Sequence, residues 1–466
     1  MASNEQTSSP KTPPGSIPAS ILIIGSGVFG LSTAYSLCKN PAFRDTSITL
    51  VDRQPFPARD AASIDTSRII RPDYADPAYA ALACAAQTLW RGEWGASGRY
   101  HESGLCLTVS PGRESYVSAS LANIQKLTPS SPTSIELLHS PADIVRAAGV
   151  ERASGSTGYL NKTSGWADAE AAMRWLHSEV SALNRVNFVT ATVSRLLINH
   201  DTSTVCGAKL VGTENTLTAT LTILAAGAWT PSLLDLRGIA TATGQPLAYL
   251  PLTPSEQTAL SANPTLLNMS TGLFVIPPSN SILKIAHHSY GYSNPVTIPH
   301  PEFPDSKPPI VVSLPKTTLL DPTQHHPIPP ASLSTLTDFL LQIHPSLSAL
   351  SSPNPTPNPF THTRLCWYTD TRTGDFLISY HPTYNNLFVA TGGSGHAFKF
   401  LPVIGDKIVE CIMGRPPMEF REKWAWPRET MSEGLWEGDG SRGGSRGMVL
   451  EVEMGMRVGV GVGGNR

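Results

Sequence analysis

Four consecutive apolar residues, Ile21 to Ile24, stand out from their polar surroundings and run straight into G-S-G-V-F-G. So short a run, with no alternation, predicts a strand buried on both faces. Leu31, Ala34, Tyr35 and Leu37 then recur at helical spacing, and Ser47 to Val51 predicts a second strand ending at Asp52. Arg53 to Thr66 reads as a loop. Asp76 and Pro77 read as a helix N-cap and first-turn proline, ahead of Tyr79, Leu82, Ala86, Leu89 and Trp90 at helical spacing. Leu105 to Ser110, Asn187 to Val193 and Leu221 to Ala225 predict strands, and Gly165 to Glu170 predicts a helix start capped by Asp168.

From Pro246 to about Leu319 the pattern changes to short strands separated by proline-rich loops. Leu273 to Ile276, Ile282 to His287 and Ile310 to Leu314 are the clearest of them. Strands without intervening helices predict an antiparallel sheet, hence a second, α+β domain. Leu333, Leu336, Phe339, Leu340 and Ile343 form one helical stripe that stops near Pro345, and Ser351 to Phe360 is a proline-rich linker. Leu377 to Tyr380 and Leu387 to Thr391 predict strands, the second leading directly into G-G-S-G-H. The chain from Ser432 onward, rich in Gly, Met, Val and Arg, predicts disorder.

The glycines after the first strand carry chemistry. Gly25 permits a tight turn, Gly27 lets the backbone approach a pyrophosphate, and Gly30 lets the helix pack closely on the strand. Free N–H groups at the helix start receive negative charge, and Asp52 stands where a ribose hydroxyl needs an acceptor. Strand, glycine turn, helix, strand and acid together predict dinucleotide binding, with FAD and NAD both open. A second glycine turn, A-A-G-A-W-T-P, follows the strand at Leu221. The nucleotide-binding parts thus lie at the beginning, middle and end of the chain, an interleaving that suits a flavoprotein better than a simple NAD dehydrogenase.

Bulk properties narrow the classes. The 466 residues carry a formal charge of -2 with 15% charged residues, and no basic stripe points to nucleic acid or a membrane surface. Apolar runs are too short to span a bilayer. The first fifteen residues lack a secretory apolar core, and the final Gly-Asn-Arg is not a peroxisomal address, so a cytoplasmic location is expected. Six scattered cysteines without C-x-x-C suit a reducing compartment and argue against structural zinc; no metal site is expected.

Four motifs in order, G-S-G-V-F-G, A-S-I-D-T-S-R-I-I-R, R-L-C-W-Y-T and G-G-S-G-H-A-F-K-F, resemble the D-amino-acid-oxidase-type FAD superfamily over about Ile21 to Trp426. The resemblance is closest to the branch of monomeric sarcosine oxidase, saccharopine oxidase, pipecolate oxidase and the fructosyl amine oxidases (amadoriases). It implies a Rossmann-like FAD-binding domain in pieces, 20–80, 165–245 and 361–426. An antiparallel-sheet substrate domain, 81–164 and 246–360, is inserted, with a disordered leader 1–19 and a flexible tail 427–466.

By the same resemblance Cys366 is the expected covalent anchor of the flavin, a thiolate being a suitable nucleophile towards an electron-poor ring. Gly393, Gly395 and Phe398 are expected against the ring. Lys399 is expected either to offset charge at its N1/O2 end or to pair with a substrate carboxylate. Arg71 is expected to grip that carboxylate in bidentate fashion, with Arg68 near the flavin. Lys284 corresponds to a lysine placed where oxygen reacts, and His288 to a substrate-side histidine. Val28, Phe29, Arg53, Ser67, Val193 and Gly227 complete the expected cofactor site. Gly244 to Pro254 and Pro295 to Pro309 are expected to line or cover the pocket.

The implied activity is oxidation of the C–N bond of a secondary amine or amino acid of saccharopine, sarcosine or pipecolate type. The product is an imine, and O2 is reduced to hydrogen peroxide by what is expected to be a monomer. Alternatives are a fructosyl amino acid oxidase, a natural-product tailoring oxidase, a flavin dehydrogenase using another acceptor, and an inactive flavin-loaded binding module. A plain NAD dehydrogenase explains neither Cys366 nor G-G-S-G-H.

Overall fold

The computed structural model describes residues 17–128, 134–317, 328–351, 358–428 and 437–455. Residues 1–16, most of the proline-rich linker (352–357) and two parts of the expected tail (429–436 and 456–466) lie outside the described residues.

The architecture is mixed, with two principal sheets. The first strand, β1 (Ser20–Ile24), is buried from Ile21 to Ile24 because it is sandwiched. Ile21 and Ile23 enter one apolar cluster with the helix α1 (Val28–Lys39) and the helix Leu401–Ile412, whereas Leu22 and Ile24 enter a different cluster on the opposite face. Two-sided burial is why this strand reads as a continuous apolar run. Its parallel neighbours are β2 (Ser47–Asp52) and Leu221–Leu224, and the six-stranded sheet is completed by Val186–Thr190, Leu387–Thr391 and the antiparallel edge strand Leu377–Tyr380. Gly30 is obligatory, since a Cβ there would be driven into the Gly25 carbonyl oxygen. Gly405 likewise lets the late helix touch α1, its N–H donating to Ser32 Oγ at 2.9 Å.

The second sheet has ten strands, mostly antiparallel, centred on the long strand Ala240–Pro251. Ile282–His287, Leu273–Ser279, Thr265–Asn268 and Leu105–Val109 follow in order on one side. The α/β plus α+β organisation is therefore present, and the helix Pro330–Ile343 buries the expected stripe. Gly165–Ala167 is a strand before it is a helix start: it pairs with Arg68–Ile70, and Asp168 caps the helix Ala169–Ala182 through a 2.9 Å bond from Ala171 N–H. The run expected from Asn187 to Val193 divides into Val186–Thr190 in the first sheet and Val193–Asn199 in a separate small one.

Two expected boundaries differ. The strand His362–Thr371, which carries Cys366, pairs along its length with Ala240–Pro251 and so belongs to the large sheet, not to the nucleotide-binding one. Its burial, continuous over Leu365, Cys366 and Trp367, suits either sheet, and only the partner decides. Within the expected flexible tail, residues 437–455 pack on the protein: Met448–Val449 pairs with Tyr292–Ser293, and Arg442 is buried against Asp370. Backbone pairing and a buried ion pair outweigh a glycine-rich composition there.

Candidate active site

A groove of about 460 Å³ runs from the C-terminal edge of the six-stranded sheet to the junction with the large one. At one end lie Gly25, Gly27, Val28, Asp52 and Arg53. Gly25 has φ +105, and a Cβ would meet the Ala225 carbonyl at 2.5 Å, so only glycine turns the chain here. Gly27 caps α1 with no side-chain hydrogen bond, which leaves the helix N–H groups open to the groove. Asp52 Oδ2 accepts from Ser26 N–H at 2.7 Å and Ser26 Oγ at 2.6 Å, leaving its second oxygen for a ligand. The Arg53 guanidinium lies over the Trp229 ring, 4.5 Å from its centroid, and pairs with Asp60. Val193 and Gly227 line the middle of the groove, and Tyr368, Gly393, Gly395 and Phe398 its far end.

Arg68, Tyr368, Gly395 and Phe398 also line a second, smaller cavity of about 90 Å³, so the two spaces adjoin. Arg71, Lys284, His288, Cys366 and Lys399 all face this smaller cavity. Gly395 has φ +73, and any side chain there would strike the Tyr368 ring.

The cavity is built around buried charge. Asp65, fully buried, accepts from Lys284 Nζ at 2.7 Å and the Tyr249 hydroxyl at 2.6 Å, and it pairs with Arg68. Burial alone would raise its carboxyl, but Arg68, Lys284 and Arg364 hold it well below the usual carboxylate range. Burial in turn pulls the Lys284 ammonium down to about 8, with Asp65 opposing and Arg68 adding to the fall. Lys284 also donates to the Ser67 carbonyl at 2.7 Å, which is how Ser67 enters the site.

Across the cavity, Lys399 donates to the Tyr74 hydroxyl at 2.8 Å and the His396 carbonyl at 2.9 Å. Burial, then the charge of Arg71, push its ammonium well below the usual lysine value. Arg71 is 7% exposed, stacks on Tyr74 and reaches the Tyr116 hydroxyl at 3.4 Å, while its Nη1 has no partner among the described residues. A buried guanidinium nitrogen without an acceptor is costly, and an anionic ligand would satisfy it. His288 lies 3.2 Å from Ser441 Oγ; burial, then Arg442, keep its ring neutral by lowering it well below 6.5. Cys366 Sγ is 3.5 Å from Arg68 Nη2.

Residues 20–411 match the family model described as DAO, FAD dependent oxidoreductase. The chain belongs to this DAO family of FAD-dependent oxidoreductases. It is 34% identical to an amino acid oxidase of Aspergillus flavus over 85% of this chain and 93% of that protein. It is 30% identical to L-saccharopine oxidase of Schizosaccharomyces pombe over 89% of this chain and 94% of that one. The solved structure of Amadoriase I, a fructosyl amine:oxygen oxidoreductase of Aspergillus fumigatus, aligns with a TM-score of 0.75 at 26% identity, covering 94% and 96% of the two chains.

The residues of this oxidoreductase fit FAD. The open helix start, the glycine turn and the Asp52 acceptor suit the adenosine and pyrophosphate end, and the adjoining cavity places cations beside the far end. Phe29 packs against Phe376 behind the turn, with ring centroids 5.3 Å apart. The segment from Gly244 contributes Gln245, Pro246 and Leu247 to the cavity, but 295–309 contributes to neither space: its strand Pro295–Ile298 pairs with Ile310–Ser313. Sequence reasoning did not single out Asp65, Tyr74 or Tyr116, whose roles depend on distant partners. His396 stood in plain view inside G-G-S-G-H. No described helix is long and apolar enough to cross a membrane.

Gly27 provides a clean test of the cradle. Its φ is an ordinary -72, and the nearest atom to an added Cβ is Ser63 Oγ at 4.0 Å. Gly27→Val is expected to keep its far-UV circular dichroism and thermal transition while flavin occupancy, read by absorbance, falls by about tenfold or more.

Proposed function

We propose that this protein is an amine oxidase that takes a secondary amine or amino acid with a carboxylate, oxidises its C–N bond to an imine, and reduces O2 to hydrogen peroxide. The observation that carries the reading is the Arg71 guanidinium, whose Nη1 has no partner among the described residues, facing together with Lys399 a cavity that adjoins the nucleotide groove. Bound FAD supplies the acceptor of the two electrons and delivers them to oxygen. Arg71 and Lys399 hold and orient the carboxylate, the apolar wall of Leu247, Leu267 and Phe274 excludes water, and neutral His288 adds no further positive charge beside the amine. Lys284 supplies fixed positive charge for oxygen reduction. The names of the relatives, an amino acid oxidase and L-saccharopine oxidase, support the class. Amadoriase I, by its structural likeness, keeps a fructosyl amine substrate as the second reading.

A panel of secondary amines and amino acids, read by peroxide, tests the activity; complete absence of peroxide and of flavin bleaching sinks it. Within the panel, Arg71→Ala is expected to raise KM for carboxylate-bearing substrates about a hundredfold, the cost of losing one partner of a desolvated charge pair.

Lys284→Met is expected to slow the O2-dependent half of turnover while leaving anaerobic reduction by substrate largely intact, as separated by stopped-flow absorbance. The sign with pH follows: the ammonium is present below about 8 and lost above it. The oxygen step of the wild type therefore declines as pH rises through 8, and that of the methionine variant stays flat.

Cys366 is the proposed covalent anchor. Acid-precipitated, washed wild-type protein is expected to stay yellow and Cys366→Ala to bleach; colour that washes out of the wild type refutes the attachment.

A further inference from the structure

The segment 437–449 crosses the open end of the smaller cavity and is pinned on both sides. Before the cavity, Glu437 accepts from Arg372 at 2.6 Å, and the Glu437 and Gly438 N–H groups donate to the Arg372 carbonyl. Beyond it, Arg442 forks onto Asp370 with bonds of 2.6 and 2.5 Å, and the Gly443 N–H donates to the His288 carbonyl at 3.1 Å. Met448–Val449 then joins the large sheet. A segment held this way has a fixed position.

Between the pins lies Asp439, which lines the cavity with Ser441 and is exposed at its mouth. It is the single carboxylate among the described lining residues, against Arg71 and Lys399. Both hydrogen bonds it accepts, from Ser441 N–H at 3.0 Å and Ser441 Oγ at 2.5 Å, use Oδ1, so Oδ2 carries none among the described residues. Both arms of Arg442 go to Asp370 and Lys399 donates to Tyr74 and His396, so none of these bonds reaches Asp439, while Arg71, whose Nη1 has no partner among the described residues, belongs to the clamp inside. Burial raises the Asp439 carboxyl, but His396, then Ser441 and His288, bring it below its ordinary value, so it stands as a carboxylate.

The cavity is thus dipolar, an anion-binding clamp inside and a carboxylate at the entrance. We infer that Asp439 is a specificity-determining residue that selects substrates carrying a second, cationic nitrogen beyond the carboxylate and the reacting amine. This inference rests on the amine-oxidase reading above. A distal ammonium meets Asp439 Oδ2, whereas a distal carboxylate is repelled, so discrimination comes from both attraction and repulsion.

The test uses full-length holoenzyme and three N-methyl amino acids whose side chains end in a cation, a methyl group and an anion: Nα-methyl-lysine, N-methyl-norleucine and N-methyl-glutamate. The expected order of kcat/KM is lysine over norleucine over glutamate derivative, with about tenfold or more between the extremes. Asp439→Asn, which keeps the Ser441 bonds, should bring that ratio near one, and Asp439→Lys should invert it. Binding is read separately from the flavin spectrum with unreactive valerate, ω-trimethylammoniovalerate and glutarate, and the same order should appear and vanish in Asp439→Asn. Equal use of all three substrates, or an order unchanged in Asp439→Asn, overturns the role of Asp439 while leaving the amine-oxidase reading intact. Oxidation of none of them, with the binding order still dependent on Asp439, overturns that reading alone.

Discussion

One buried carboxylate, Asp65, joins the two halves of the molecule. It sits in the loop after the nucleotide-binding strands, yet its partners come from three strands of the large sheet: Tyr249, Lys284 and Arg364. Arg68 closes the cluster from its own side. Taking these charges out of water is expensive, and the arrangement holds only because every partner is present; removing one member of such a cluster costs about 3–5 kcal/mol. The junction of groove and cavity is fixed at this point, because Lys284 and Arg68 line the cavity and Arg68 lines the groove as well.

The rest of the site follows from what surrounds that cluster. An excess of cations over anions at the junction suits negative charge that builds up there during oxidation. Burial, then the charge of Arg71, lower the Lys399 ammonium. On the proposed reading, a bound carboxylate would supply the acceptor that Arg71 Nη1 lacks. Binding energy is in this way directed into orientation, which is what a reaction without a side-chain nucleophile needs.

What was legible in the sequence is what is local. Gly25, Gly27 and Gly30 act within a few residues of one another, and Arg68, Arg71, Cys366 and Lys399 lie in compact motifs whose order is itself informative. Asp65 lies in one of those motifs, but its importance comes from Lys284, 219 positions away. No periodicity reports such a contact. The stretch carrying Cys366 was expected in the nucleotide-binding domain and pairs instead with Ala240–Pro251 for a related reason: a segment's own pattern says what is buried, and only the register shows its neighbour. Asp439 was hidden in a glycine-rich tail, because composition measures the average tendency of a segment and says nothing of a buried Arg442–Asp370 pair.

That pair has a consequence for the order of assembly. A chain emerging from the ribosome exposes the phosphate cradle early, whereas the entrance acid arrives after more than four hundred residues. Capacity to hold the cofactor can therefore precede a finished substrate doorway. A polypeptide clipped ahead of Glu437 would keep the cradle, lose the segment that carries Asp439, and leave Asp370 buried without its partner.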